Sequence, residues 1–168
     1  MSEVKYFTKE GYEKLAAELQ ELKGKGRAEI ARAIQKAREM GDLSENAEYD
    51  AAKDAQGLLE LKISQLENTI ATARILDDND INLDKAYILS TVTLKNLKNG
   101  KKMKYMLVSE EEANLKEGKI SIKSPVGKAV LGHEVGDIVE IDAPAGKMQF
   151  ELEAISRWFF AYHTPIIK

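Results

Sequence analysis

The sequence predicts an α+β protein of two domains: an N-terminal antiparallel α-helical coiled-coil hairpin over residues 1–76, a linker over 77–84, and a small α+β domain over 85–168. Three observations carry this. Apolar residues recur at spacings of three and four from Tyr12 to Ala73, with no proline between Thr8 and Leu76. Beyond Asp80 the apolar period changes to two. And 32% of the 168 residues are charged, against a usual ~25%, while 43% are hydrophobic, a balance that fits long exposed helices with one apolar stripe each.

The first seam runs through Tyr12, Leu15, Leu19 and Leu22 and continues at Ile30, Ile34 and Ala37. Thr8 is a suitable N-cap for its helix. Gly24 and Gly26 interrupt the seam, and each lowers helix propensity by ~1 kcal/mol relative to alanine, so a bend or a weak stretch is expected there. A second seam runs through Leu59, Ile63, Leu66, Ile70 and Ala73. Seams of this kind make helices pair. Between them lies Gly41-Asp42-Leu43-Ser44. Gly41 suits the left-handed position past a helix end, and Asp42 or Ser44 can cap the helix that follows. Two helices of about 33 residues give arms of roughly 50 Å at 1.5 Å rise per residue, with the turn far from the rest of the protein.

Asp77-Asp78-Asn79-Asp80 opens the linker. Strands are expected at Ile88–Leu94, Tyr105–Val108, Lys119–Ile122, Ile138–Ile141 and Phe150–Ile155, where β-branched and aromatic residues concentrate. Asn99-Gly100 marks a hairpin turn. Ser109 before Glu110-Glu111-Glu112-Ala113 reads as a capped short helix. Ser124-Pro125 before Val126–Leu131 reads as another, with serine at N-cap and proline at N1. The aromatic and apolar tail from Arg157 to Lys168 is expected to pack on the sheet, or else to form a contact patch.

Composition excludes several function classes. With no cysteine there is no disulfide scaffold, cysteine nucleophile or thiolate zinc site, and two histidines cannot make a histidine-rich metal centre. No apolar run approaches the ~18–20 residues of a membrane span, and the N-terminus has no signal core, so a cytoplasmic protein is expected. Residues 1–77 hold 12 Lys+Arg against 15 Asp+Glu, and the remainder is balanced at 13 each. Neither half has the basic excess of a free-standing nucleic-acid binder.

The most distinctive segment is Gly41-Asp42-Leu43-Ser44-Glu45-Asn46-Ala47-Glu48-Tyr49-Asp50. Asp42 and Glu45, three apart across a turn, can bring two carboxylates to one cation, as Mg²⁺ sites do. Two ligands make a weak site, so the others must come from substrate or a partner. The same pair also reads as a capping box. Arg32, Lys36, Arg38 and Lys53 lie beside the tip and can hold a phosphate backbone, or form a solvated charged face. Gly127-Lys128 belongs to no phosphate loop, and no GxSxG serine accompanies His133.

Phe7-Thr8-Lys9-Glu10-Gly11-Tyr12-Glu13-Lys14-Leu15, the tip motif, Ser124-Pro125-Val126-Gly127-Lys128-Ala129-Val130-Leu131-Gly132 and Glu134-Val135-Gly136-Asp137 together resemble the Gre family of bacterial transcript-cleavage factors. The resemblance covers nearly the whole chain except its tail. It implies an FKBP-like fold for the second domain, docking on RNA polymerase through Ser124 and Pro125, and entry of the hairpin into the secondary channel. There Asp42 and Glu45 would be the catalytic and metal-binding acids. They would share Mg²⁺ with the polymerase, and the free protein would bind none. Arg38 and Lys53 would contact the nascent RNA 3′ end. The factor would stimulate the polymerase's own RNA cleavage rather than act as an enzyme itself, and it would be a monomer. The acidic balance fits the less basic branch of the family. Gly26-Arg27 stands where relatives commonly carry Arg-Pro. Two other readings compete: an anti-cleavage paralogue that blocks the channel, and a coiled-coil scaffold unrelated to polymerase.

Overall fold

A computed structural model describes residues 3–42, 45–77 and 82–157. The chain forms two compact units, one of Glu10–Ala73 and one of Val4–Lys9 with the described residues from Arg74 to Arg157. The helical unit is therefore shorter at both ends than the 1–76 expected. The reason is strand pairing: β1 (Lys5–Phe7) forms a two-stranded sheet with β2 (Ala73–Ile75), and Leu76 N–H donates to the Phe7 carbonyl. Thr8 donates both its N–H and its hydroxyl to the Glu112 carboxylate, and Lys5 pairs with Glu111. Half of the expected linker, residues 78–81, and the tail 158–168 lie outside the described residues.

In the helical unit α1 (Lys9–Glu21) runs through a π turn (Leu22–Gly26) into α2 (Arg27–Glu39), and α3 (Ala47–Thr72) returns. The 26 residues of α3 correspond to about 39 Å. That is short of the expected arm, because the helix starts only at Ala47 and gives way to β2 at Ala73. Leu15, Ile34, Ala37, Ile63 and Ala73 are buried along the seam, as its spacing predicts, and Ala52, one heptad before Leu59, is buried as well. Ion pairs Lys23–Glu67, Arg27–Glu60 and Lys62–Glu18 flank it. Arg27 grips both oxygens of Glu60 at 2.9 Å.

The π turn is what the two glycines produce, and it has a reason in the seam. From Leu22 to Ile30 is eight residues, one more than a heptad. In an uninterrupted α-helix that extra residue would turn everything beyond it by about 100°. A single π turn absorbs one residue: Arg27 N–H reaches back to the Leu22 carbonyl, five residues away, and Ile34 and Ala37 return to the seam. Gly26 sits beneath Leu59, where a Cβ would lie 3.3 Å from the leucine's Cδ1.

The second unit is built on a five-stranded sheet of order β5-β4-β3-β7-β6. Its strands are β3 (Ser90–Asn96), β4 (Lys102–Val108), β5 (Lys119–Ser121), β6 (Ile138–Ala143) and β7 (Gly146–Arg157). All neighbours are antiparallel except β4 and β5. The period-two pattern puts Val92, Leu94, Leu107, Val139, Ile141, Phe150 and Leu152 on one face, closed by α4 (Pro125–Val130) through Val130. A bulge opposite Thr93/Leu94 inserts Glu153, so the inward series on β7 runs Phe150, Leu152, Ile155. The segment after Ser109 is a 3₁₀ turn over Glu110–Glu112, not a capped helix, and the buried Ser109 hydroxyl has no hydrogen-bond partner among the described residues. This is the two-domain α+β organisation that the change of period predicts.

Candidate functional site

The tip is assembled from the end of α2, the turn, and the start of α3. Helix α2 stops at Met40, and Gly41 then takes φ +119°, a conformation that disfavours any side chain. Asp42 and Glu45 follow on the turn, both exposed. Ser44, one candidate cap, lies outside the described residues. The N-cap of α3 is Asn46: its Oδ1 accepts the N–H groups of Glu48 and Tyr49, each at 3.1 Å. The capping-box reading of Asp42 and Glu45 is thereby corrected. Helix α3 begins at Ala47, two residues later than a Ser44 cap and four later than an Asp42 cap would set it, and Glu45 precedes it.

Charges around the turn follow the helix dipoles. Lys36 and Arg38 occupy the last turn of α2, and Glu48 and Asp50 the first turn of α3. Arg38 and Lys53 each come one residue after a buried seam alanine, Ala37 and Ala52. In antiparallel helices a step past the seam turns the same way on both, so these two cations project from the same side of the hairpin. Lys36 turns to the other side, and Arg32, midway between Ile30 and Ile34, points away from α3. Arg32 donates to the Ala28 carbonyl, and Lys53 to Gln56 at 2.7 Å. Among the described residues no group of three or more His, Cys, Asp or Glu side chains can hold a metal ion.

Ser124 and Pro125 lie in the second unit, at the start of α4. The Ser124 hydroxyl accepts Gly127 N–H at 3.0 Å and donates to the Ser121 carbonyl at 2.6 Å. Of the two, only Pro125 is exposed. A Cβ on Gly127 would lie 2.1 Å from the Ser121 carbonyl oxygen. The Ser-Pro-x-Gly run thus builds a tight helix start. The residue that sequence reasoning missed is Asn46. Its signal was present, a good N-cap type two residues before Glu48, but Asp42 and Ser44 offered the same chemistry nearby.

Comparison with known proteins bears on both units. Residues 5–75 match the family described as "Transcription elongation factor, N-terminal", and residues 80–157 match "Transcription elongation factor, GreA/GreB, C-term". A helical hairpin with an acidic turn, followed by an α+β unit, is thus the make-up of a two-domain transcription elongation factor. The transcription elongation factor GreA of Amoebophilus asiaticus is 52% identical over 156 residues, covering 93% of this chain and 99% of its own. That of Flavobacterium johnsoniae is 52% identical over 157 residues, covering 94% and 99%. The chain belongs to the GreA/GreB family and sides with its GreA members. Among solved structures, GreA factor homolog 1 (Gfh1) of Thermus thermophilus is 33% identical, covering 91% of this chain and 99% of that one, with a TM-score of 0.43. No helix among the described residues is long and apolar enough to cross a membrane.

Proposed function

We propose that this elongation factor enters the secondary channel of RNA polymerase and stimulates endonucleolytic cleavage of nascent RNA in backtracked complexes. Asp42 and Glu45 act there as carboxylates donated in trans. The observation that supports this is the cap. Asn46 caps α3, and Asp42 and Glu45 lie exposed on the turn just before it.

The donor set fits Mg²⁺ as part of a shared site, since both residues offer hard carboxylate oxygens and two are too few to hold the ion alone. When held between this pair and the polymerase, Mg²⁺ supplies charge stabilisation and an acidified water for phosphodiester cleavage. The chain's own part is to present the carboxylates, to orient the attacking water by accepting its hydrogens, and to meet the RNA 3′ end with Arg38 and Lys53. Pro125, on its Ser124-capped turn, belongs to the docking surface on polymerase.

The test is RNA release from a stalled, backtracked complex with 3′-labelled transcript and Mg²⁺. Wild type should release short labelled fragments, and Asp42→Ala/Glu45→Ala should bind polymerase equally and release none. Slowed transcription by both proteins without fragments would mean a channel-blocking inhibitor. No effect of either would favour a scaffold.

A further inference from the structure

Asn46 does more than an ordinary N-cap. Its Oδ1 serves the start of α3, while its Nδ2 donates to the Ala37 carbonyl, 2.7 Å away in the last turn of α2. That carbonyl also accepts Met40 N–H at 3.2 Å, and Ala37 is 2% exposed. The main-chain carbonyl of Asn46 accepts Asp50 N–H at 3.1 Å, within α3. One side chain therefore bonds main-chain groups at the end of one helix and the beginning of the next. Asp42 and Glu45 lie inside the loop that this tie closes.

The side-chain chemistry is narrow. The position needs an acceptor facing two N–H groups and a donor facing a carbonyl, on a stem long enough to span both helices. Aspartate has the acceptor and the length but no donor when ionised. Serine caps equally well, but its hydroxyl is shorter. Asparagine meets all three requirements.

We propose that Asn46 is the positioning residue of the acidic tip: by tying α2 to α3 across the turn, it fixes the separation and direction of the Asp42 and Glu45 carboxylates. This rests on the reading of those two acids as the acting pair. A pair that must share an ion with another protein's site needs its geometry set beforehand, and a misplacement of about 1 Å can lower a rate by ~10²-fold.

The experiment uses full-length Asn46→Asp and Asn46→Ser, both of which keep an N-cap acceptor, in the backtracked-complex assay across a Mg²⁺ titration. Asp42→Ala/Glu45→Ala runs beside them. Helicity and polymerase affinity should match wild type. The cleavage rate should fall on the order of 10²-fold, the Mg²⁺ concentration for half-maximal rate should rise, and excess Mg²⁺ should restore part of the rate. A purely structural role would not move the Mg²⁺ dependence. Wild-type rates and Mg²⁺ dependence in both Asn46 variants, with the double-alanine protein inactive, would overturn this inference alone. So would a loss of cleavage that only follows lost polymerase binding. Full activity of the double-alanine protein would overturn both readings.

Discussion

Removing Lys25 tests the account of the π turn. Loss of one residue from the middle of a seam normally turns the rest of a helix by about 100° away from its partner. Here the seam already holds one residue too many between Leu22 and Ile30, and Lys25 is exposed with no ion pair among the described residues. Deletion should convert the π turn to α-helix and leave Ile30, Ile34 and Ala37 facing α3. The expected change in stability is within about 1 kcal/mol, the size of a single helix-propensity effect. The matched control is one alanine inserted after Arg27. It adds a second extra residue, for which there is no glycine pair to form a second π turn. Ile34 is 8% exposed and Ala37 2% exposed, and Ile30 is half-buried. Turning them to water forfeits roughly 1.5–3 kcal/mol for a large side chain, so the insertion should lose about 3–5 kcal/mol in all. Urea denaturation followed by far-ultraviolet circular dichroism, with the midpoint and slope fitted together, measures both variants. A deletion as damaging as the insertion would refute the argument that the π turn exists to absorb a surplus seam residue.

Two further outcomes follow from local geometry. Gly127→Ala places a Cβ 2.1 Å from the Ser121 carbonyl oxygen and 2.9 Å from the Ile122 Cα, both main-chain atoms. Ile122 N–H is bonded to Val108 and the Ser124 hydroxyl to Ser121, so neither side yields easily. A loss of about 3 kcal/mol is expected, at the upper end of overpacking effects, and amide exchange should quicken in β5 and α4; a wild-type exchange pattern would contradict the close approach. Asp137 accepts Glu134 N–H at 2.9 Å and lies 3.2 Å from the His133 Nδ1. The backbone donor first, and then His133, hold its carboxyl below the usual range. A carboxyl lowered by folding stabilises the protein above its unfolded pKa near ~4, and that contribution is lost as pH falls through the folded value. A carboxyl-carbon titration by NMR should place Asp137 below the exposed acids, and Asp137→Asn should flatten the acid limb of stability; an ordinary titration would remove the claim.

The parts of this protein that were legible in the sequence are those governed by period. Spacings of three and four from Tyr12 to Ala73, then alternation from Ile88 onward, specify a helical hairpin before a sheet, because side-chain direction repeats with the backbone geometry of each element. The tip motif and the Ser-Pro run were legible as well, since they need particular side chains at consecutive positions. What sequence could not decide was which of several equivalent groups takes a role. Asp42, Ser44 and Asn46 are all good caps, and the choice fell to the residue whose amide also reaches Ala37. That carbonyl is nine residues away along the chain, and only antiparallel pairing of the helices brings it near. Gly24 and Gly26 likewise advertised weakness, but whether they bend the helix or form a π turn depends on the seam of the opposite helix. The boundary between units shifted for the same reason: Lys5–Phe7 pairs with a strand some seventy residues later, and long-range partners of that kind leave no local periodicity. Sequence by itself determined the elements and the chemistry available at the tip. Tertiary structure decided which side chains begin the helices, which tie them together, and which are left on the turn, because those choices depend on distances between residues far apart in the chain.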